Sequence, residues 1–89
     1  MPKGDCFEAA YLAAERLHRW YPDLLVVHGT PINQGPRKGE RYWHAWVEMP
    51  DGTVIDQSSD RNIVMTKENY YRIGRLEEKH VWRYTVMEH

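Results

Sequence analysis

Runs of apolar residues divide the first part of the chain into a helix and a buried strand. Apolar and small side chains recur every three to four positions from Cys6 to Leu17. This spacing predicts an amphipathic helix over residues 6–20, with Asp5 as its N-cap. A short continuous apolar run then predicts a strand over residues 24–28 that is buried on both faces.

The clearest pattern further along the chain is a hairpin, with strands over residues 41–49 and 53–57. Pro50 suits the second position of a type I turn, and Gly52 suits the left-handed residue that follows it. A two-residue primed turn would gain nothing from Pro50. We therefore expect a three-residue loop between the two strands.

Two further elements complete the predicted fold. Thr66 is expected to cap a short helix over residues 67–73, which Gly74 closes. β-favouring side chains over residues 80–87 predict a last strand. The order of elements predicts one α+β domain over residues 1–89, in which the N-terminal helix packs on an antiparallel sheet of about four strands.

The register of the hairpin decides which side chains share a face of the sheet. A three-residue loop pairs Met49 with Thr53. Four side chains then lie on one face: His44, Trp46, Val54 and Asp56. His44 and Asp56 are diagonal neighbours in this register, about 7–8 Å apart between backbones. A two-residue loop would send Asp56 to the other face.

Composition and charge exclude several classes of function. The chain has 89 residues, of which 42% are hydrophobic and 28% charged, as expected of a globular domain. Its net charge is −1 with acids and bases intermixed, so no nucleic-acid partner is expected. The absence of a long apolar run or a signal-peptide core argues against membrane association. A single cysteine favours a reducing, cytoplasmic setting.

That single cysteine begins the candidate chemistry. Cys6 lies at the predicted start of a helix, where the positive end of the helix dipole favours the reactive thiolate. An imidazole such as that of His44 can take the thiol proton, and a carboxylate such as that of Asp56 can orient the imidazole. The three residues therefore form a candidate catalytic triad.

Three segments carry a resemblance to a known family: residues 4–10 (GDCFEAA), 44–48 (HAWVE) and 54–56 (VID). In this order they resemble the papain-like superfamily, and most closely its transglutaminase-like branch. The chain is similar over nearly its whole length to small bacteriophage and bacterial proteins of this type. The resemblance implies a minimal papain-like core and, for a phage-encoded protein, a location in the host cytoplasm.

The resemblance also implies an activity. Cys6 would be the nucleophile, His44 the base and Asp56 the orienting residue of an acyl-transfer enzyme without a cofactor. The reaction would be hydrolysis, deamidation or transamidation of an amide bond in a protein or peptide substrate. Papain-like peptidases carry an oxyanion-hole glutamine shortly before the cysteine, and residues 1–5 contain none. The Cys6 backbone N–H, with Gln34 on the predicted loop 29–40, is the expected replacement.

Other interpretations stay open. The missing glutamine and the small size are also consistent with a non-catalytic protein-binding module on the same fold, such as a phage inhibitor of a host protein. His28 and Trp46 are further candidates for the cleft, although His28 also suits a partnered histidine near a strand end. The side chains of Cys6, His28, His44 and Asp56 are of the types that bind zinc, but no CxxC or HExxH spacing supports a metal site and none is predicted. The catalytic hypothesis requires Cys6 to be accessible and close to His44.

Overall fold

The computed structural model describes residues 5–33, 39–57 and 62–86. Within them the chain forms an N-terminal helix, five strands, a second helix and a single 3₁₀ turn. Their bounds in chain order are α1 Asp5–His18, β1 Leu25–Gly29, β2 His44–Glu48, β3 Thr53–Asp56, β4 Ile63–Thr66, α2 Lys67–Gly74, the 3₁₀ turn Glu78–His80, and β5 Val81–Tyr84.

The five strands form one antiparallel sheet in the order β4-β3-β2-β1-β5. Strand β2 occupies the centre, and all five of its residues are buried. A strand in this position has neighbours on both edges and packed layers on both faces, so polar side chains on it must find partners inside the protein. The catalytic candidate His44 is the first residue of this central strand.

Two apolar layers cover the two faces of the sheet. The layer under α1 contains Ala10, Ala13, Ala14, Leu24, Val26, Ala45 and Val47. The layer on the opposite face contains Val27, Trp46, Val54, Leu76 and Val81, with Tyr70 and Tyr71 of α2 packed against it. The small alanine side chains let α1 approach the sheet closely, as their helical spacing predicts.

The predicted α+β class is confirmed, with five strands in place of the expected four. The additional strand is β4, an edge strand of four residues whose alternate side chains are exposed. Val64 on this strand has 62% of its surface exposed. Burial patterns do not reveal such a strand, because pairing with β3 rather than packing holds it in the sheet.

The helix ends differ from the predictions in detail. Helix α1 begins at Asp5 and ends at His18, two residues earlier than expected. Thr66 caps α2 as predicted, because its side chain accepts a hydrogen bond from the Asn69 backbone N–H at 3.2 Å. The left-handed residue that closes α2 is Arg75, at φ 51°, and not Gly74.

Gly74 serves close packing instead of helix termination. A Cβ atom at this position would lie 2.9 Å from Cβ of Pro31, which is closer than real side chains approach. The glycine therefore lets the end of α2 lie against the segment that follows β1. None of the helices in the described ranges is long and apolar enough to cross a membrane.

Candidate active site

The hairpin between β2 and β3 has the predicted register. The Met49 N–H donates to the Thr53 carbonyl at 2.8 Å, and Glu48 lies opposite Val54. Gly52 has φ +89° and closes the three-residue loop through a 2.9 Å hydrogen bond to the Met49 carbonyl. The local turn chemistry of the loop thus fixes which strand positions share a face.

This register brings His44 and Asp56 into direct contact. Nε2 of His44 lies 2.8 Å from Oδ2 of Asp56. His44 is 4% exposed and Asp56 is 1% exposed, so water has almost no access to the pair. In such surroundings a charged hydrogen bond is stronger than at the surface, and removal of either partner leaves the other buried and uncompensated.

The thiol of Cys6 completes a line of three groups. Cys6 lies in the first turn of α1, near enough to His44 for its thiol to contribute to the raised pKa of the imidazole. Because Nε2 is engaged by Asp56, Nδ1 is the ring nitrogen available to the thiol. The structure therefore places thiol, imidazole and carboxylate in sequence, with the imidazole between the other two.

The two partners of His44 change its protonation. Burial alone would lower the pKa of the imidazole, since it disfavours the charged form. The hydrogen bonds to Asp56 and Cys6, together with their negative charge, outweigh burial and raise the pKa from 6.5 to about 9. At neutral pH His44 is therefore an imidazolium between two acidic groups.

A tyrosine on α2 forms the outer end of this line. The Tyr70 hydroxyl donates a hydrogen bond to Oδ2 of Asp56 at 2.7 Å, and this is the same oxygen that contacts His44. Tyr70 is a site residue that the sequence pattern does not reveal, because adjacent tyrosines on a short helix give no periodic signal for a contact with a strand.

A second buried polar cluster lies on the same face of the sheet. Glu48 is 5% exposed, and Oε2 accepts hydrogen bonds from Trp46 Nε1 at 3.2 Å and from the Tyr71 hydroxyl. Its Oε1 accepts from Arg83 Nε at 3.2 Å, and Arg83 also binds Glu78 through two hydrogen bonds of 2.7 and 2.9 Å. Within the described ranges every buried side-chain nitrogen and oxygen has a hydrogen-bond partner.

The pKa shifts in this cluster reflect burial and hydrogen bonds to the carboxylates of Glu48 and Glu78. Burial and the Glu48 carboxylate raise the pKa of Tyr71, so its hydroxyl remains a donor. The hydrogen bonds to Glu78 raise the pKa of Arg83 further above its ordinary value. The cluster connects to the triad through Trp46, whose ring centroid lies 6.0 Å from that of His44.

Of the expected cleft residues, Trp46 lies beside the triad but is buried, and His28 lies away from it. Trp46 is fully buried behind the His44–Asp56 pair, so it is part of the core and does not line an open cleft. His28 lies opposite Ala45 and therefore on the other face of the sheet from His44. Its ring packs between Phe7 and Tyr84, with centroid distances of 4.9 and 5.0 Å. Gln34 lies outside the described residues.

The accessibility of Cys6 is the least favourable feature of the site. Cys6 is buried, with 9% of its surface exposed. The thiol thus meets the requirement of proximity to His44 but not that of open access. In the arrangement described here, a substrate carbonyl reaches the sulfur only if neighbouring groups move apart.

The described part of the chain contains no group of three or more His, Cys, Asp or Glu side chains arranged to hold a metal ion. His28, one of the four residues considered as zinc ligands, lies on the other face of the sheet from His44. What the remaining three residues can do chemically is move a proton between sulfur and nitrogen while the carboxylate stabilises the imidazolium.

Comparison of the chain with protein-family models, with curated proteins and with solved structures finds no match. Function is therefore inferred from the geometry and electrostatics of the site.

Proposed function

We propose that the protein is a cysteine-dependent acyl-transfer enzyme that acts on amide bonds through Cys6, His44 and Asp56. The observation that supports this most strongly is the direct contact between the imidazole of His44 and the buried carboxylate of Asp56, beside the thiol of Cys6 at the start of α1. The class of enzyme is the papain-like and transglutaminase-like one that the sequence resembles. Its substrates would be proteins or peptides.

The proposed reaction begins with the proton on His44. The pKa of about 9 keeps the imidazole protonated at neutral pH, and an imidazolium beside the sulfur favours the thiolate. The thiolate attacks the amide carbonyl carbon and forms a carbon–sulfur bond. His44 then gives its proton to the departing amine as the carbon–nitrogen bond breaks, which leaves a thioester on Cys6.

The second half of the reaction restores the enzyme. His44, now neutral, takes a proton from water or from a second amine, which attacks the thioester carbonyl. The carbon–sulfur bond breaks and the thiolate reforms beside the imidazolium. Water as the attacking group gives hydrolysis or deamidation, and an amine gives transamidation. Asp56 keeps Nε2 of His44 occupied throughout, so Nδ1 carries the moving proton.

The experiment that tests this proposal is a screen of glutamine- and glycine-containing peptides, with and without an added primary amine, read by mass spectrometry. The three reactions are distinguishable: hydrolysis splits the peptide, deamidation converts an amide to an acid, and transamidation attaches the amine. A covalent acyl group on the intact protein identifies the thioester.

Matched variants make the screen decisive. Cys6→Ser retains a side chain of similar size, and Asp56→Asn retains the shape of the carboxylate while removing its charge. We expect Cys6→Ser to abolish product and the acyl adduct, and Asp56→Asn to reduce the rate by orders of magnitude, since the orienting carboxylate acts through the histidine. Product formation that persists in Cys6→Ser would contradict the proposal.

A specific surface feature favours a second candidate function, a non-catalytic protein-binding module. Trp43 directly precedes His44, and its ring stacks at a tilt on that of Trp82 with centroids 5.3 Å apart. The two side chains are 59% and 44% exposed. Exposed paired indoles are typical of residues that anchor protein interfaces, and burial of Cys6 is compatible with a protein that binds without turnover.

The two candidates respond differently to two substitutions. If the protein acts by binding, Trp43→Ala weakens its biological effect while Cys6→Ala leaves the effect intact. If it acts as an enzyme, Cys6→Ala abolishes the effect. Dose–response curves for both variants, in the same assay, decide between them.

A further inference from the structure

Two consecutive tyrosines attach α2 to two different buried carboxylates. Tyr70 donates to Asp56, which belongs to the triad, and Tyr71 donates to Glu48, which does not. Both rings pack against Trp46, with centroid distances of 5.0 Å for Tyr70 and 6.3 Å for Tyr71. Both hydroxyls donate to a buried carboxylate, but to different ones, and the Tyr71 hydroxyl also accepts a hydrogen bond from Arg83 Nη2 at 3.0 Å.

The contact of Tyr70 is with the oxygen that matters for His44. Oδ2 of Asp56 accepts from the Tyr70 hydroxyl at 2.7 Å and contacts His44 Nε2 at 2.8 Å. A carboxylate oxygen that accepts two hydrogen bonds divides its negative charge between two donors. The hydrogen bond from Tyr70 therefore weakens the attraction between Asp56 and the proton on His44.

We propose that Tyr70 is a positioning residue of the site that acts through Asp56: its hydroxyl takes up part of the charge on Oδ2 that Asp56 would otherwise present to His44. This inference rests on the proposed function for its catalytic meaning. The change that it predicts is in the titration of the His44 imidazole, which can be measured whether or not the protein turns over a substrate.

Removal of the hydroxyl separates this role from simple packing. In Tyr70→Phe the ring remains against Trp46, and the further interactions of Asp56 keep the carboxylate in place. Oδ2 then offers its charge to His44 alone, which strengthens the hold on the proton. If Tyr70 only kept Asp56 in position, its loss would loosen the His44–Asp56 contact and weaken that hold.

The experiment is an NMR titration of the His44 ring Cε1–H signal in the wild type, Tyr70→Phe and Tyr71→Phe. The signal is assigned by its disappearance in His44→Gln. A hydrogen bond to a charged group is stronger than one between neutral groups, and His44 senses a part of the change when the Tyr70 hydroxyl is removed. We expect the titration midpoint in Tyr70→Phe to rise by roughly 0.5 pH.

Tyr71→Phe is the matched control, because it removes the same hydroxyl from the neighbouring position and affects Glu48. We expect its His44 midpoint to stay at the wild-type value. An unchanged or lowered midpoint in Tyr70→Phe, or an equal rise in both variants, would overturn the inference.

Failure of the proposed function has a different signature. If Cys6 forms no acyl adduct and does not react with alkylating agents in the wild type, the enzyme proposal fails even where the His44 midpoint rises in Tyr70→Phe. If Cys6 reacts and turns over substrate while the midpoint does not move, the role of Tyr70 fails and the enzyme proposal stands.

Discussion

The buried His44–Asp56 pair predicts how the stability of the protein depends on pH. The pKa of His44 is about 9 in the folded protein and 6.5 as its ordinary value, which we take for the unfolded chain. Between these values His44 binds a proton in the folded protein that it does not bind in the unfolded chain. A thiolate at Cys6 would release a proton on folding and cancel this difference, so the contribution of His44 is measured in a Cys6→Ser background. The free energy of unfolding therefore falls as pH rises through this window. Below pH 6.5 both states bind the proton, and the full contribution is present.

The magnitude follows from the same two values. Each pKa unit corresponds to about 1.4 kcal/mol of differential interaction. The difference between 6.5 and about 9 thus amounts to a contribution on the order of 3 kcal/mol at pH 6. Because His44 is 4% exposed, solvent screening reduces this contribution little. For a small domain it is a large fraction of the total stability.

Urea unfolding followed by tryptophan fluorescence measures this contribution. Stability is compared at pH 6 and pH 9 in a Cys6→Ser background, so that no thiol gains or loses a proton on unfolding. Other groups titrate in this window, so the informative quantity is the difference between Cys6→Ser and the double variant Cys6→Ser/Asp56→Asn. We expect Cys6→Ser to lose roughly 2–3 kcal/mol more than the double variant between the two pH values.

Two results would refute this reasoning. A Cys6→Ser variant that is equally stable at pH 6 and pH 9 would show that His44 does not hold an additional proton in the folded state. A decline of the same size in the double variant would show that the pH dependence arises elsewhere in the chain.

Substitutions at three further positions test the scaffold that positions the site. Each is assessed by measuring the free energy of unfolding in urea. Gly29→Ala should lose about 1–3 kcal/mol, because its Cβ would lie 2.4 Å from Cη2 of the buried Trp46; unchanged stability would contradict that contact. Thr66→Ala should lower the free energy of unfolding by about 1 kcal/mol, because α2 loses its cap. Thr66→Ser should be nearly as stable as the wild type, because its hydroxyl can still accept the hydrogen bond from Asn69. Glu48→Gln should lose about 2 kcal/mol, because it removes the charge that Arg83 and Tyr71 contact; a neutral effect would mean that the cluster is dispensable.

The parts of the site that depend on local chemistry were predictable from the sequence. Pro50 and Gly52 specify a three-residue loop, and the loop fixes the register that places His44 and Asp56 on one face. The small residues at helical spacing likewise predict the close packing of α1 on the sheet. In each case the residues that decide the structure are neighbours in the chain.

The parts that depend on distant contacts were not predictable in the same way. The Tyr70–Asp56 hydrogen bond joins a helix to a strand fourteen residues earlier, and packing of α2 on Trp46 decides where the hydroxyl points. His28 shows the same limit. Its face depends on the register of β1 against β2, and a long connection between two strands does not fix their register.

The four-residue strand β4 escaped detection for a different reason. Edge strands need only one hydrogen-bonded neighbour, and their outer side chains are free to be apolar and exposed, as Val64 is. A run of four β-favouring residues that leads directly into a capped helix has no turn signal of its own. Its place in the sheet comes from the backbone pairing with β3.

The measurement that tests the central claim most directly is the rate of Cys6 alkylation by iodoacetamide as a function of pH, in the wild type and in His44→Ala. At pH 6 an ordinary thiol is almost entirely protonated, whereas a thiolate paired with the His44 imidazolium reacts at once. We expect Cys6 to be alkylated faster at pH 6 in the wild type than in His44→Ala, because the imidazolium favours the thiolate once the groups around the buried sulfur move apart. A Cys6 that is inert, or that reacts identically in the two proteins, would contradict the account.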